Sequence, residues 1–64
     1  MRIEEVKKSL NQMVTYKGKE NVYRLTACIL RRNEEGYFYQ AEISDIKSGN
    51  SVTICKLEDI EVRE

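Results

Sequence analysis

Between Tyr23 and Asp45 hydrophobic and polar residues alternate in two runs, YRLTACILRR and YFYQAEISD, joined by Asn33-Glu34-Glu35-Gly36. Period-two alternation of this length predicts two half-buried β-strands. A type I turn over the acidic pair, with the glycine in the left-handed region, predicts that they form a hairpin. Pairing Asn33 with Tyr37 sets Arg31 opposite Tyr39, Ile29 opposite Ala41, Ala27 opposite Ile43 and Leu25 opposite Asp45. One face then carries Tyr23, Leu25, Ala27, Ile29, Tyr37, Tyr39, Ala41 and Ile43. The other carries Arg24, Thr26, Cys28, Leu30, Arg32, Phe38, Gln40, Glu42 and Ser44. Slipping by one residue mixes the two classes, so alternation and turn chemistry both favour the first register.

The flanking segments add five elements. Residues 2–11 place Ile3, Val6, Leu10 and Met13 at spacings of three and four, which predicts a short amphipathic helix that must dock to be stable. Residues 13–17 read as a first strand, with a turn at Lys17-Gly18-Lys19. The next strand, ending at Arg32, is long, so a bend or bulge is expected between Leu25 and Ile29. The return strand runs to about Ile46, Ser48-Gly49-Asn50 is a tight turn, and residues 51–57 form another strand. There either Val52 and Ile54, or Thr53, Cys55 and Leu57, face the core. Leu57 and Ile60, three apart, suggest a single helical turn, and Ile60–Val62 a brief last strand. The glycines fall in turns, and no proline interrupts a strand.

The expected fold is mainly β (α+β): a five-stranded antiparallel small barrel over residues 13–63, preceded by a helix within residues 1–12, in one small domain spanning 1–64. A strongly twisted sheet with the helix across one face is the alternative. The Tyr23–Asp45 hairpin, Gly49 and the closing LEDIEV (Leu57 to Val62) resemble the architecture of SH3-like small β-barrels. The resemblance covers residues 13–63 and implies a fold only. The chain has no tryptophan and lacks the Pro-binding groove signature of true SH3 domains, and no residue picks out the tudor or KOW-type relatives. Fold alone does not convey function.

Sixty-four residues lie near the lower size limit for a domain held by its core alone. No run of about 18 apolar residues could span a membrane, and the start, MRIEEVKKSL, lacks the apolar stretch of a signal peptide. A cytoplasmic location is expected, with Cys28 and Cys55 as reduced thiols. Two thiols without histidine are too few for a structural zinc site, and no cofactor motif is present. Residues 1–32 hold eight of the eleven lysines and arginines, whereas residues 33–64 hold eight of the eleven acids. Antiparallel strands from the two halves would neutralise one another.

Catalysis is not expected. The paired carboxylates Glu34-Glu35 and Glu58-Asp59 sit in turns of a chain too small to desolvate them. The candidate binding face is Arg24, Leu30, Arg32, Phe38 and Gln40, an aromatic flanked by arginines of the kind that stacks single-stranded bases. In the competing reading, Phe38 and Leu30 form a small second core under the helix. The leading functional expectation is a non-catalytic protein-interaction module, an accessory or regulatory protein of the type found in bacteria, phages or mobile elements. Nucleic-acid binding through the Arg/aromatic face is the alternative, and homodimerisation is compatible with both.

Overall fold

The computed structural model describes residues 1–63, and the chain runs α1 (Ile3–Lys8), β1 (Met13–Tyr16), β2 (Val22–Asn33), β3 (Gly36–Asp45), β4 (Ser51–Lys56), a 3-10 turn (Leu57–Asp59) and β5 (Ile60–Val62). All pairings are antiparallel, and the strand order is β4-β3-β2-β1-β5. β4 and β5, joined through the 3-10 turn, lie at opposite edges, so the sheet is open and not the closed barrel first expected. α1 covers the gap. Val6 is fully buried with Val14, Leu25, Ile43 and Ile60, and Ile3 and Met1 pack against this core. The Met1 amino group donates to the carbonyls of Leu57 and Ile60, tying the start of the chain to the link between the two edges.

The helix is shorter than its apolar spacing suggested. It closes at Ser9, and Asn11 takes a positive φ of 69° that no helix continues through. Leu10 is left exposed, and Met13 joins β1 instead of extending the stripe. Asn11 N–H then donates to the Leu25 carbonyl and Leu25 N–H to the Gln12 carbonyl, prolonging the β1–β2 pairing as far as Leu25.

Immediately beyond Leu25 lies the feature that sets the two faces of the molecule. Leu25 pairs with Ile43, but Ala27 pairs with Glu42, so Thr26 is the extra residue of a β-bulge. The expected bulge is present, and it reverses the expected register. Cys28 opposes Ala41, Leu30 opposes Tyr39, Arg32 opposes Tyr37 and Asn33 opposes Gly36. The Asn33–Tyr37 pairing fails because Gly36, at φ 128°, belongs to the ladder and only Glu34 and Glu35 form the turn. Asn33 Oδ1 accepts from Glu35 N–H at 2.8 Å, bracing that turn.

β3 and the start of β2 keep their anticipated faces. After Thr26, β2 inverts: Cys28, Leu30 and Arg32 share the core-side face, and Ala27, Ile29 and Arg31 the outer one. In β4 the ambiguity resolves for Thr53 and Cys55, which oppose Ile43 and Ala41 on the core side, while Val52 and Ile54 point outward. Cys28 and Cys55 thus flank Ala41 from non-adjacent strands and are free thiols.

At the far end, Asp45 is buried and joins two loops. Its Oδ2 accepts from Asn21 Nδ2 at 2.9 Å, its Oδ1 from Lys47 N–H at 3.1 Å, and its carbonyl from Asn50 N–H at 3.0 Å. Burial pushes this carboxyl up, but the hydrogen bonds from Asn21, Lys47 and Ser48 outweigh it and hold it below its ordinary value. Tyr23, opposite Asp45, packs edge-on against Tyr16 at 5.7 Å, and burial, then the Asp45 charge, raises its phenol.

Candidate interaction surface on the β2–β3 ribbon

β2 has twelve residues and β3 ten, yet their outer neighbours are short. β1 pairs with β2 only as far as Arg24, with backbone bonds to Leu25, and β4 pairs with β3 only as far as Gln40. Among the described residues, no strand lies beside the last four pairs of the central hairpin, Leu30–Tyr39, Arg31–Phe38, Arg32–Tyr37 and Asn33–Gly36. They project as a two-stranded ribbon of roughly 14 Å, from the rise per residue of a strand, on a molecule with a long axis of 36 Å against 21 and 20 Å.

The ribbon's two faces differ. On the core-side face stand Leu30, Tyr39, Arg32 and Tyr37, beyond the point where the core ends. Leu30 is 56% exposed and Tyr37 69%, and Tyr39 is also solvent-facing. The Arg32 guanidinium lies over the Tyr37 ring, 5.6 Å from its centroid, which holds both side chains in place without hiding them. On the outer face, half-buried Phe38 stands opposite exposed Arg31, with Gln40 next along β3. The tip carries Glu34 and Glu35, both exposed.

Of the five anticipated site residues, Arg24, Phe38 and Gln40 lie on the outer face and Leu30 and Arg32 on the opposite one. The bulge divides them. Arg24 is also engaged, donating from Nη1 to the Asn11 carbonyl at 3.0 Å. Phe38 and Leu30, on opposite faces, form no joint second core, and α1 packs on the core side, away from the outer face carrying Phe38. Tyr37 and Tyr39, which alternation assigned to the core, are instead exposed companions of Leu30 and Arg32, and Arg31 takes the place opposite Phe38 that Arg32 was expected to hold. The sequence signal for this was strand length: a ten- to twelve-residue hairpin beside strands of four and six must overhang them.

Where β4 leaves β3 after Lys56, a shallow groove runs along the base of the ribbon, lined by Met1, Phe38, Tyr39, Lys56, Leu57 and Glu58. It extends the exposed Tyr39 surface toward the 3-10 turn. Among the described residues no three His, Cys, Asp or Glu side chains are placed to hold a metal ion, and no helix is long and apolar enough to cross a membrane. No protein-family model, curated protein or solved structure matches the chain.

Proposed function

We propose that this chain is a small non-catalytic protein-interaction module that grips its partner with Leu30, Arg32, Tyr37 and Tyr39 on the projecting ribbon. The observation that carries the reading is the exposure of Leu30 and Tyr37 beside Arg32. Two large apolar or aromatic side chains are kept in water where the core makes no use of them. Tyrosine and arginine are the side chains that most often anchor protein interfaces, and a rigid aromatic loses little conformational entropy on binding. An SH3-like architecture is part of the proposal. Its support is the order β4-β3-β2-β1-β5, a long bulged second strand, and a 3-10 turn linking the two edge strands. In such a role the protein acts as an accessory or regulatory factor.

The test compares wild type with Leu30→Ser/Tyr37→Ser as immobilised bait in lysate of the source organism, followed by titration of each retained protein in purified form. A partner that binds wild type and loses about 30-fold or more in affinity for the variant, the scale of a hot-spot anchor, supports the reading. Equal binding to both baits removes it.

Nucleic-acid binding is the second reading, favoured by the outer-face placement of Arg31 against Phe38 beside Gln40. Against it stand Glu42 on the same face and Glu34 and Glu35 at the tip, which repel phosphate. Fluorescence anisotropy with labelled single-stranded and duplex oligonucleotides decides it. Salt-sensitive binding lost in Arg31→Ala and Phe38→Ala would put this reading first.

A further inference from the structure

β4 is an outermost strand of the sheet, and its six residues, SVTICK, contain no acid and no proline, with a single cation at the end. The other edge, β5, has three residues, a glutamate at its centre and Arg63 just beyond. Sheet edges are normally blunted by shortness, charge or proline because their free N–H and C=O groups template another strand. β5 is blunted in this way and β4 is not.

The side chains of β4 restrict what can pair there. Val52 and Ile54 stand on the outer face, 57% and 41% exposed, while Cys55 faces the core. An added strand must continue both faces, since directly opposed residues share a side. A second β4 does so about a two-fold axis through Thr53: Val52 faces Ile54 of the second copy, Ile54 faces its Val52, and Thr53 faces Thr53. The four outward aliphatic side chains then form one patch. The charges agree with this arrangement. Antiparallel pairing sets the β3–β4 turn, which contributes exposed Lys47, beside the 3-10 turn of the second copy, which contributes Glu58 and Asp59, and does so at both ends. Parallel pairing would set like turn against like. The chain's net charge is zero, so no overall repulsion opposes association.

We propose that β4 pairs antiparallel with β4 of a second copy of this chain, centred on Thr53, to form a dimer with one continuous sheet. The inference does not depend on the ribbon reading, and it doubles the ribbon: two binding surfaces on one rigid body give avidity toward a repeated partner.

Sedimentation equilibrium of the purified protein, from about 1 μM to about 1 mM, the range that covers weak self-association, reads the mass directly. The expected result is a rise from 7.5 kDa toward twice that value. Val52→Lys/Ile54→Lys should remain monomeric throughout with an unchanged circular dichroism spectrum. Val52→Thr/Ile54→Thr keeps the β-branched character and should weaken the dimer if the lysine variant does not fold. Lys47→Glu should weaken association about tenfold, and Lys47→Glu/Glu58→Lys should restore it. A wild type that stays monomeric, a dimer unaffected by the β4 substitutions, or a charge swap without recovery would each overturn the proposal.

Discussion

Thr26 Oγ1 sits 2.7 Å from Glu42 Oε2 and 3.0 Å from the Glu42 carbonyl oxygen, so the side chain of the bulged residue is held by the strand it has slipped against. One hydroxyl proton is shared between two acceptors, one of them a carboxylate, at the position where the ladder skips a residue. The bulge turns Leu30 and Arg32 to the side carrying Tyr37 and Tyr39. Thr26→Val keeps the branched shape and removes the hydroxyl. It is expected to cost about 1–2 kcal/mol in urea unfolding, as for a partly buried hydrogen bond to a charged group. An unchanged midpoint would mean that the ladder alone sets the bulge.

Asp45 makes stability depend on pH in a defined direction. Its folded-state carboxyl lies below the ordinary value of 3.8 because the bonds from Asn21, Lys47 and Ser48 outweigh burial. A depressed pKa stabilises the folded state above the unfolded-state value, and that contribution disappears as pH falls through the folded one. Asp45→Asn should therefore melt below wild type at pH 7, and the gap should narrow as pH is lowered through and below the ordinary value of 3.8. A gap that stays constant over this fall in pH would contradict the assignment.

Cys55 is 5% exposed, and burial, with the Asp59 charge nearby, pushes its thiol up. Cys28 lies two strands away across β3, a Cα separation of roughly 10 Å from the spacing of neighbouring strands, beyond the reach of a disulfide. Alkylation at pH 8 followed by peptide mass mapping should modify Cys55 only after denaturant is added. Mild oxidation should produce no intrachain Cys28–Cys55 bridge. Rapid labelling of Cys55 in the native state would show that β4 and the 3-10 turn open.

Much of the architecture was legible in the sequence because its signals are local. The glycine turns, the long hairpin, the 3-10 turn at Leu57–Asp59 and the short closing strand each rest on a few adjacent residues. The faces of β2 were not legible. Leu25, Ala27 and Ile29 satisfy alternation as well as Leu25, Cys28 and Leu30 do, and only the cross-strand partner chooses between them. Nothing in the residue type of Thr26 fixes the bulge there, and the loss of one residue of phase accounts for the divided site and the misplaced Leu30 and Arg32, whereas Tyr37 and Tyr39 keep the core-side face and are exposed because the hairpin overhangs its shorter neighbours. Barrel closure was likewise undecided locally, since it depends on whether the two edge strands β4 and β5 meet, and no few adjacent residues decide that.

The central claim is that the ribbon's exposed side chains serve binding and not folding. Leu25 and Leu30 lie on the same strand and face, five residues apart, one fully buried and the other 56% exposed. In a domain whose whole stability is of the order of 3–10 kcal/mol, Leu25→Ala should cost about 2–5 kcal/mol and bring the chain close to unfolding. The most direct measurement is urea unfolding of Leu30→Ser/Tyr37→Ser beside that reference. The variant is expected to unfold cooperatively within about 1 kcal/mol of wild type, as exposed positions do. A loss comparable to that of Leu25→Ala would contradict the account, because it would make these side chains part of what holds the fold.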